Sequence, residues 1–135
     1  MREINKIIVH CTATPYTMVV TAKMVDAWHR ERGWSGIGYH YLVLLDGTVE
    51  VGRPEWKIGS HCKGYNGHSI GIAYAGGLDA SGHSADTRTP GQKEALRKLI
   101  ARLREKYGPI PVYGHSDFAE KDCPCFDAFE EYRLM

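Results

Sequence analysis

The stretch from Gly114 to Asp127, GHSDFAEKDCPCFD, carries an imidazole, an ammonium and two thiols in a segment rich in turn residues. Borderline-soft divalent ions such as zinc accept both imidazole nitrogen and thiolate sulfur, and a catalytic site of this kind uses three protein ligands and leaves the fourth place to water. His115 and Cys123 are eight residues apart, too far for one helical turn, so they converge on one ion only if the intervening loop folds back. Pro124 stiffens the backbone directly after Cys123. The competing reading takes His115 as a hydrogen-bonded loop histidine and the cysteines as small buried apolar residues. This stretch leaves both readings open, and a metal centre needs a third ligand from elsewhere.

The elements that must position these groups follow from the pattern along the chain. The β-branched run Ile4 to Val9 reads as a buried strand ending at His10 and Cys11. Thr21 caps a helix from Ala22 to Arg32, stopped by Gly33, with Met24, Val25 and Trp28 on its apolar face and His29 on the solvent side. Tyr39 to Leu45 and Thr48 to Gly52 flank Asp46-Gly47, a two-residue hairpin turn. Strand alternation puts Tyr39 and Tyr41 on one face and His40 on the other, and the Tyr39 face is expected to meet the metal, since a phenol can hold a water without becoming a fourth ligand. The turn-rich segment Gly59 to Gly67 offers His61 and Asn66 as residues lining a cleft, against the alternative of a solvated loop.

Ser69 to Tyr74 is a further apolar strand, and the polar loop Gly76 to Arg88 contains His83, read as solvated. The next helix has Thr89 as cap, Pro90 at its first position and Gln92 closing a capping box. Its buried stripe is Ala95, Leu96, Leu99, Ile100, Leu103 and Tyr107. Val112 to Gly114 forms a short edge-like strand that delivers His115, and a helix from about Phe126 to Arg133 follows. The order β, α, ββ, β, α, β, α predicts an α/β (α+β) fold, a single domain over residues 1–135 with a mixed central sheet flanked by helices. Two strands end at a histidine. If they lie side by side and parallel, His10 joins His115 and Cys123 as the third ligand.

At 135 residues the chain is long enough for one core without staples. Its 17 basic and 16 acidic side chains give a net charge of +1, which argues against nucleic acid or an anionic membrane as partner. No apolar run reaches the ~18 to 20 residues of a membrane span, and the start MREINKIIVHCTAT lacks a signal-peptide pattern, so membrane insertion is not expected and synthesis is expected to end in the cytoplasm. Reduced thiols are expected there, which leaves Cys11 and Cys62 as core or supporting residues.

Several motifs together carry a family resemblance: VHCTAT at 9–14, WHRERGW at 28–34, GYH at 38–40, DGTVEVGR at 46–53, GSHCKGYN at 59–66, SIGI at 69–72 and KDCP at 121–124. The chain resembles the zinc-dependent N-acetylmuramoyl-L-alanine amidases of the T-odd phage lysozyme type, which share a fold with peptidoglycan recognition proteins. The resemblance implies zinc held by His10, His115 and Cys123, Tyr39 and Lys121 as catalytic side chains, and His61 in the substrate cleft. It implies hydrolysis of the amide between the lactyl group of N-acetylmuramic acid and L-alanine in peptidoglycan. An endolysin of this kind is expected to work as a monomer and to reach the wall through a partner pore of the holin type. Two other readings compete. Some relatives bind peptidoglycan without cutting it, and those usually lack the cysteine ligand, which is present here as Cys123. Some phage lysozymes also bind their phage RNA polymerase, through an arm before the first histidine that is longer than the segment before His10. Cys125 is an extra thiol, while Cys123 holds the family position before Pro124.

Overall fold

Lys6–Cys11 forms strand β1, and its five residues from Ile7 onward are all buried, the pattern of a strand covered on both faces. A computed structural model describes residues 2–135. After β1 come β2 (Thr14–Pro15), α1 (Ala22–Glu31), β3 (Tyr41–Val43), β4 (Val49–Val51), β5 (Ser69–Tyr74), β6 (Gly77–Leu78), α2 (Pro90–Tyr107), β7 (Val112–Gly114) and α3 (Ala128–Tyr132). Five strands make one mixed sheet in the order β4-β3-β5-β1-β7, in which only the β3–β4 hairpin is antiparallel. The expected mixed sheet with flanking helices is therefore the observed architecture.

Alternation along β1 divides the core. Ile7, Val9 and Cys11 join Tyr41, Val43, Ile70, Ile72 and Tyr74 against Leu96, Leu99, Ile100 and Leu103 of α2. Each such buried aliphatic side chain contributes about 1.5–3 kcal/mol of transfer free energy. The opposite face meets α1 through Val20, Val25, Ile37, Leu42, Ala73 and Ala75. His10, between Val9 and Cys11, belongs to that second face.

Helix ends follow their local chemistry. The Thr21 side chain accepts the Met24 N–H at the start of α1, and Thr89 with Gln92 forms a complete capping box at the start of α2. Three expectations need correcting. The β3–β4 hairpin is shorter than its residue pattern, because regular pairing begins only at Tyr41. The loop after Gly76 contains β6, which pairs in parallel with β2 in a separate small sheet. His29 is not solvated: it is 5% exposed, because the chain after α1 folds back over the helix end and the Gly38 N–H donates to its Nδ1 at 2.8 Å.

Gln92 also ties α2 to the sheet. Its fully buried amide donates to the carbonyls of Ala75 at 2.8 Å and Val43 at 3.3 Å, and its Oε1 accepts the Thr89 N–H at 2.9 Å. Gln92→Ala would take the side-chain partner from the Ala75 carbonyl and the Thr89 N–H, while the Val43 carbonyl keeps the Ala75 N–H at 2.9 Å, at about 1–3 kcal/mol for each group that stays dry. Urea unfolding of the variant is expected to show a loss of about 2–4 kcal/mol with an unchanged m-value.

Candidate metal centre

Strands β1 and β7 pair in parallel with Ile7 opposite Val112, Ile8 opposite Tyr113 and Val9 opposite Gly114. One step further along this register stand His10 and His115, on the same face and at the same end of the sheet. Their Nδ1 atoms face each other at 3.2 Å and their ring centroids lie 4.6 Å apart. At most one proton fits between two such nitrogens, so at least one lone pair points into the space they share.

The loop after His115 returns because several contacts hold it. The Ser116 N–H donates to the Cys123 carbonyl at 2.9 Å, and the buried Tyr74 hydroxyl donates to the Pro124 carbonyl at 2.6 Å. Gly114 leaves room for the ring of Pro124, since a Cβ there would stand 2.8 Å from the proline Cδ. Cys123 thereby reaches the imidazoles, and the ligand atoms of His10, His115 and Cys123 all lie within 4.8 Å of one another. Two imidazoles and one thiol make a donor set that suits a borderline-soft divalent ion.

The electrostatics separate the thiols. Hydrogen bonding from the Cys11 side chain holds the Cys123 thiol below its ordinary pKa, helped by the Cys11 N–H at 3.1 Å and the nearby Lys121 ammonium, while burial opposes the shift. The same hydrogen bond and burial push Cys11 up, and burial pushes Cys125 up to about 12. Cys125 lies outside the ligand group, with its sulfur 4.0 Å from that of Cys11. Burial, reinforced by the neighbouring imidazoles of His61 and His115, keeps His10 neutral.

Tyr39 packs on the α1 side with its ring centroid 5.3 Å from that of His10, and burial raises the pKa of its phenol. The expected sharing of a face by Tyr39 and Tyr41 fails, because Tyr41 packs on the α2 side. The pleat breaks at His40: its N–H donates to Gly71 on one side while its carbonyl accepts from Gly52 on the other, whereas a regular strand residue directs both groups to the same side. His40 is buried too, accepting the Gly71 N–H at Nδ1 and meeting the Lys57 carbonyl through Nε2.

Lys121 is exposed and lines an open cleft of about 530 Å³ together with Trp34, His61, Lys63, Asn66 and His115. His61 is 8% exposed, and burial pushes its pKa down to about 3. The Asn66 side-chain oxygen accepts the backbone N–H groups of His61 and Cys62 at 2.9 and 3.0 Å, so it shapes the turn that presents His61. His29 is a site neighbour that the sequence reading set aside. Its ring lies edge-to-face with Trp34 and with Tyr39, and WHRERGW was the available signal.

Residues 1–126 match the family model described as N-acetylmuramoyl-L-alanine amidase. The chain belongs to that family, and it is an amidase that cleaves peptidoglycan. It is similar to the endolysin of Klebsiella phage KP32, at 44% identity over 126 residues, covering 93% of this chain and 83% of the relative. Among solved structures it is similar to the N-acetylmuramoyl-L-alanine amidase LysC from Clostridium intestinale, with a TM-score of 0.83, 36% identity, and coverage of 98% and 85% of the two chains. Bumblebee PGRP-SA superposes with a TM-score of 0.79 at 26% identity, covering 97% of this chain and 81% of that one.

The thiol ordering has a direct test. In metal-free protein, iodoacetamide is expected to label Cys123 ahead of Cys11 and Cys125 at neutral pH, because the thiolate is the nucleophile. Peptide mass spectrometry after short exposure reads the order, and earlier labelling of Cys125 would contradict it.

Proposed function

We propose that His10, His115 and Cys123 hold one zinc ion, and that Tyr39 and Lys121 act beside it on the amide between the lactyl group of N-acetylmuramic acid and L-alanine. The observation that carries this reading is the convergence of the three donors within 4.8 Å, one of which, His115, lines the same cleft as Lys121. Zinc, when bound, supplies Lewis acidity and lowers the pKa of water towards about 7.

The chain's own residues supply the rest. The Cys11 N–H favours a thiolate at Cys123, the form in which sulfur binds metal. The Lys121 ammonium meets the negative charge that builds on the former carbonyl oxygen as water adds, and the loss of one such donor typically costs about 3–4 kcal/mol. The Tyr39 hydroxyl orients the attacking water and passes its proton towards the leaving amine. His61 and Asn66 belong to the wall that receives the substrate. This reading also has the protein act as a monomer on the wall after release across the inner membrane through a holin-type pore.

The ligand assignment is tested by metal content. Cys123→Ser is expected to lose tight zinc binding and Cys125→Ser to keep it; the reverse result would overturn the assignment. At matched zinc occupancy on purified sacculi, Lys121→Met is expected to keep its fold and release new peptide ends roughly a hundredfold more slowly. Tyr39→Phe retains the ring packing and should leave melting temperature and zinc content nearly unchanged while cleavage drops sharply. Undiminished cleavage by either variant would remove that residue from the mechanism.

A further inference from the structure

The His10 ring touches His115 with one nitrogen and His61 with the other. Its Nε2 lies 2.8 Å from His61 Nδ1, and both rings are buried. Beyond His61 the contacts continue inward. His61 Nε2 is 3.2 Å from Ser69 Oγ, and the Ser69 hydroxyl donates to the Tyr65 carbonyl at 2.8 Å.

The direction of every proton in this chain follows from its last member. A backbone carbonyl only accepts, so the Ser69 hydroxyl proton is committed to Tyr65. The Ser69 oxygen can then only accept from His61, which places the His61 proton on Nε2 and leaves Nδ1 with a lone pair. That lone pair requires a proton on His10 Nε2. A neutral His10 therefore has its free lone pair on Nδ1, the nitrogen that faces His115.

The sequence makes room for this ring at a cost. Gly71 stands inside β5, where glycine weakens a strand and commonly marks close approach by another group. A Cβ at Gly71 would lie 2.5 Å from Cγ and Cδ2 of His61 and 2.7 Å from its Nδ1, and a Cβ at Gly59 would lie 2.6 Å from its Cδ2. Two glycines thus form the slot that holds the imidazole, and Asn66 fixes the backbone that carries it.

We infer that His61 is a positioning residue: through Ser69 and the Tyr65 carbonyl it sets the His10 tautomer, so that Nδ1 is already bare and aimed at the metal position. The inference rests on the reading of His10 as a metal ligand. It assigns both nitrogens of His61 to the protein interior and leaves neither for the substrate. Partners of this kind, one hydrogen bond behind a ligand, are typically worth about tenfold to a hundredfold in metal affinity.

The tautomer is read without any metal. Long-range 1H–15N spectra of the metal-free protein, labelled at histidine, are expected to show His10 protonated on Nε2 only, and His61 likewise. In His61→Phe, which keeps a ring in the slot, His10 should become a mixture of tautomers, and zinc affinity by chelator competition should fall about tenfold to a hundredfold. His61→Asn puts an amide oxygen near the position of Nδ1 and is expected to recover most of that loss, which a purely space-filling role would not predict. Ser69→Ala frees the His61 tautomer with little change in volume and should reproduce the His10 mixture even if His61→Phe folds poorly. A His10 proton on Nδ1 in the parent protein, or unchanged tautomer in folded Ser69→Ala and His61→Phe, would overturn the inference. If the ligand reading is what fails, Cys123→Ser keeps its zinc while the tautomer result stands.

Discussion

The parallel pairing of β1 with β7 is the constraint on which the centre depends. Each strand by itself ends in a histidine with no reason to be near the other. Their shared register, Val9 opposite Gly114, converts a separation of more than a hundred residues into adjacent positions on one face. The pairing is secured by the central place of β1, which is hydrogen-bonded to β5 over its full length and buried between α2 and the α1 side. Core burial therefore fixes the imidazoles before any ion is present, and their alignment should be as stiff as the sheet itself.

Around that fixed pair the protein uses softer devices. Cys123 arrives on a loop, held by the Tyr74 hydroxyl, by the Ser116 N–H and by the close approach of Pro124 to Gly114. Lys121, on the same loop, is exposed. Under the proposed reading, a rigid pair of imidazoles with a thiol and a cation on a tethered loop would give precise geometry at the metal position and adjustability where a bulky polymer must enter. Burial also keeps three histidines behind the site neutral, lowering His29 and His40 each to about 4 and His61 to about 3. Uncharged imidazoles of His29 and His40 accept backbone N–H groups here.

Glycine placement reveals how tightly the site is built. Gly71 and Gly59 make the slot for His61, and Gly38 lies so close to the Ser60 carbonyl that a Cβ would stand 2.1 Å from it. Gly71 weakens β5 locally, and all three positions permit close approach of side chain and backbone. Gln92 plays the converse role at the far side, saturating carbonyls at the ends of β3 and β5 so that α2 can cover the sheet without leaving polar groups dry.

Local chemistry in the sequence determined the helix caps at Thr21 and Thr89, the strand Ser69–Tyr74, the mixed order of elements and the two strand-end histidines, because caps, β-branched runs and apolar stripes act over a few residues. It also marked Cys123 over Cys125, through Pro124 and the family motif. Tertiary structure alone decided three matters. His29 is buried because the segment just after α1, with Trp34, Gly38 and Tyr39, folds back over a helix face that is polar by its neighbours. The Tyr39–Tyr41 alternation fails because the His40 N–H donates to the Gly71 carbonyl while the His40 carbonyl accepts from Gly52 on the other side, and no local pattern records which partners a backbone will find. The path from His10 through His61 to Ser69 and the Tyr65 carbonyl exists only once β1, β5 and the loop before β5 lie together, since hydrogen-bond polarity is a property of the assembled network and not of any residue in it.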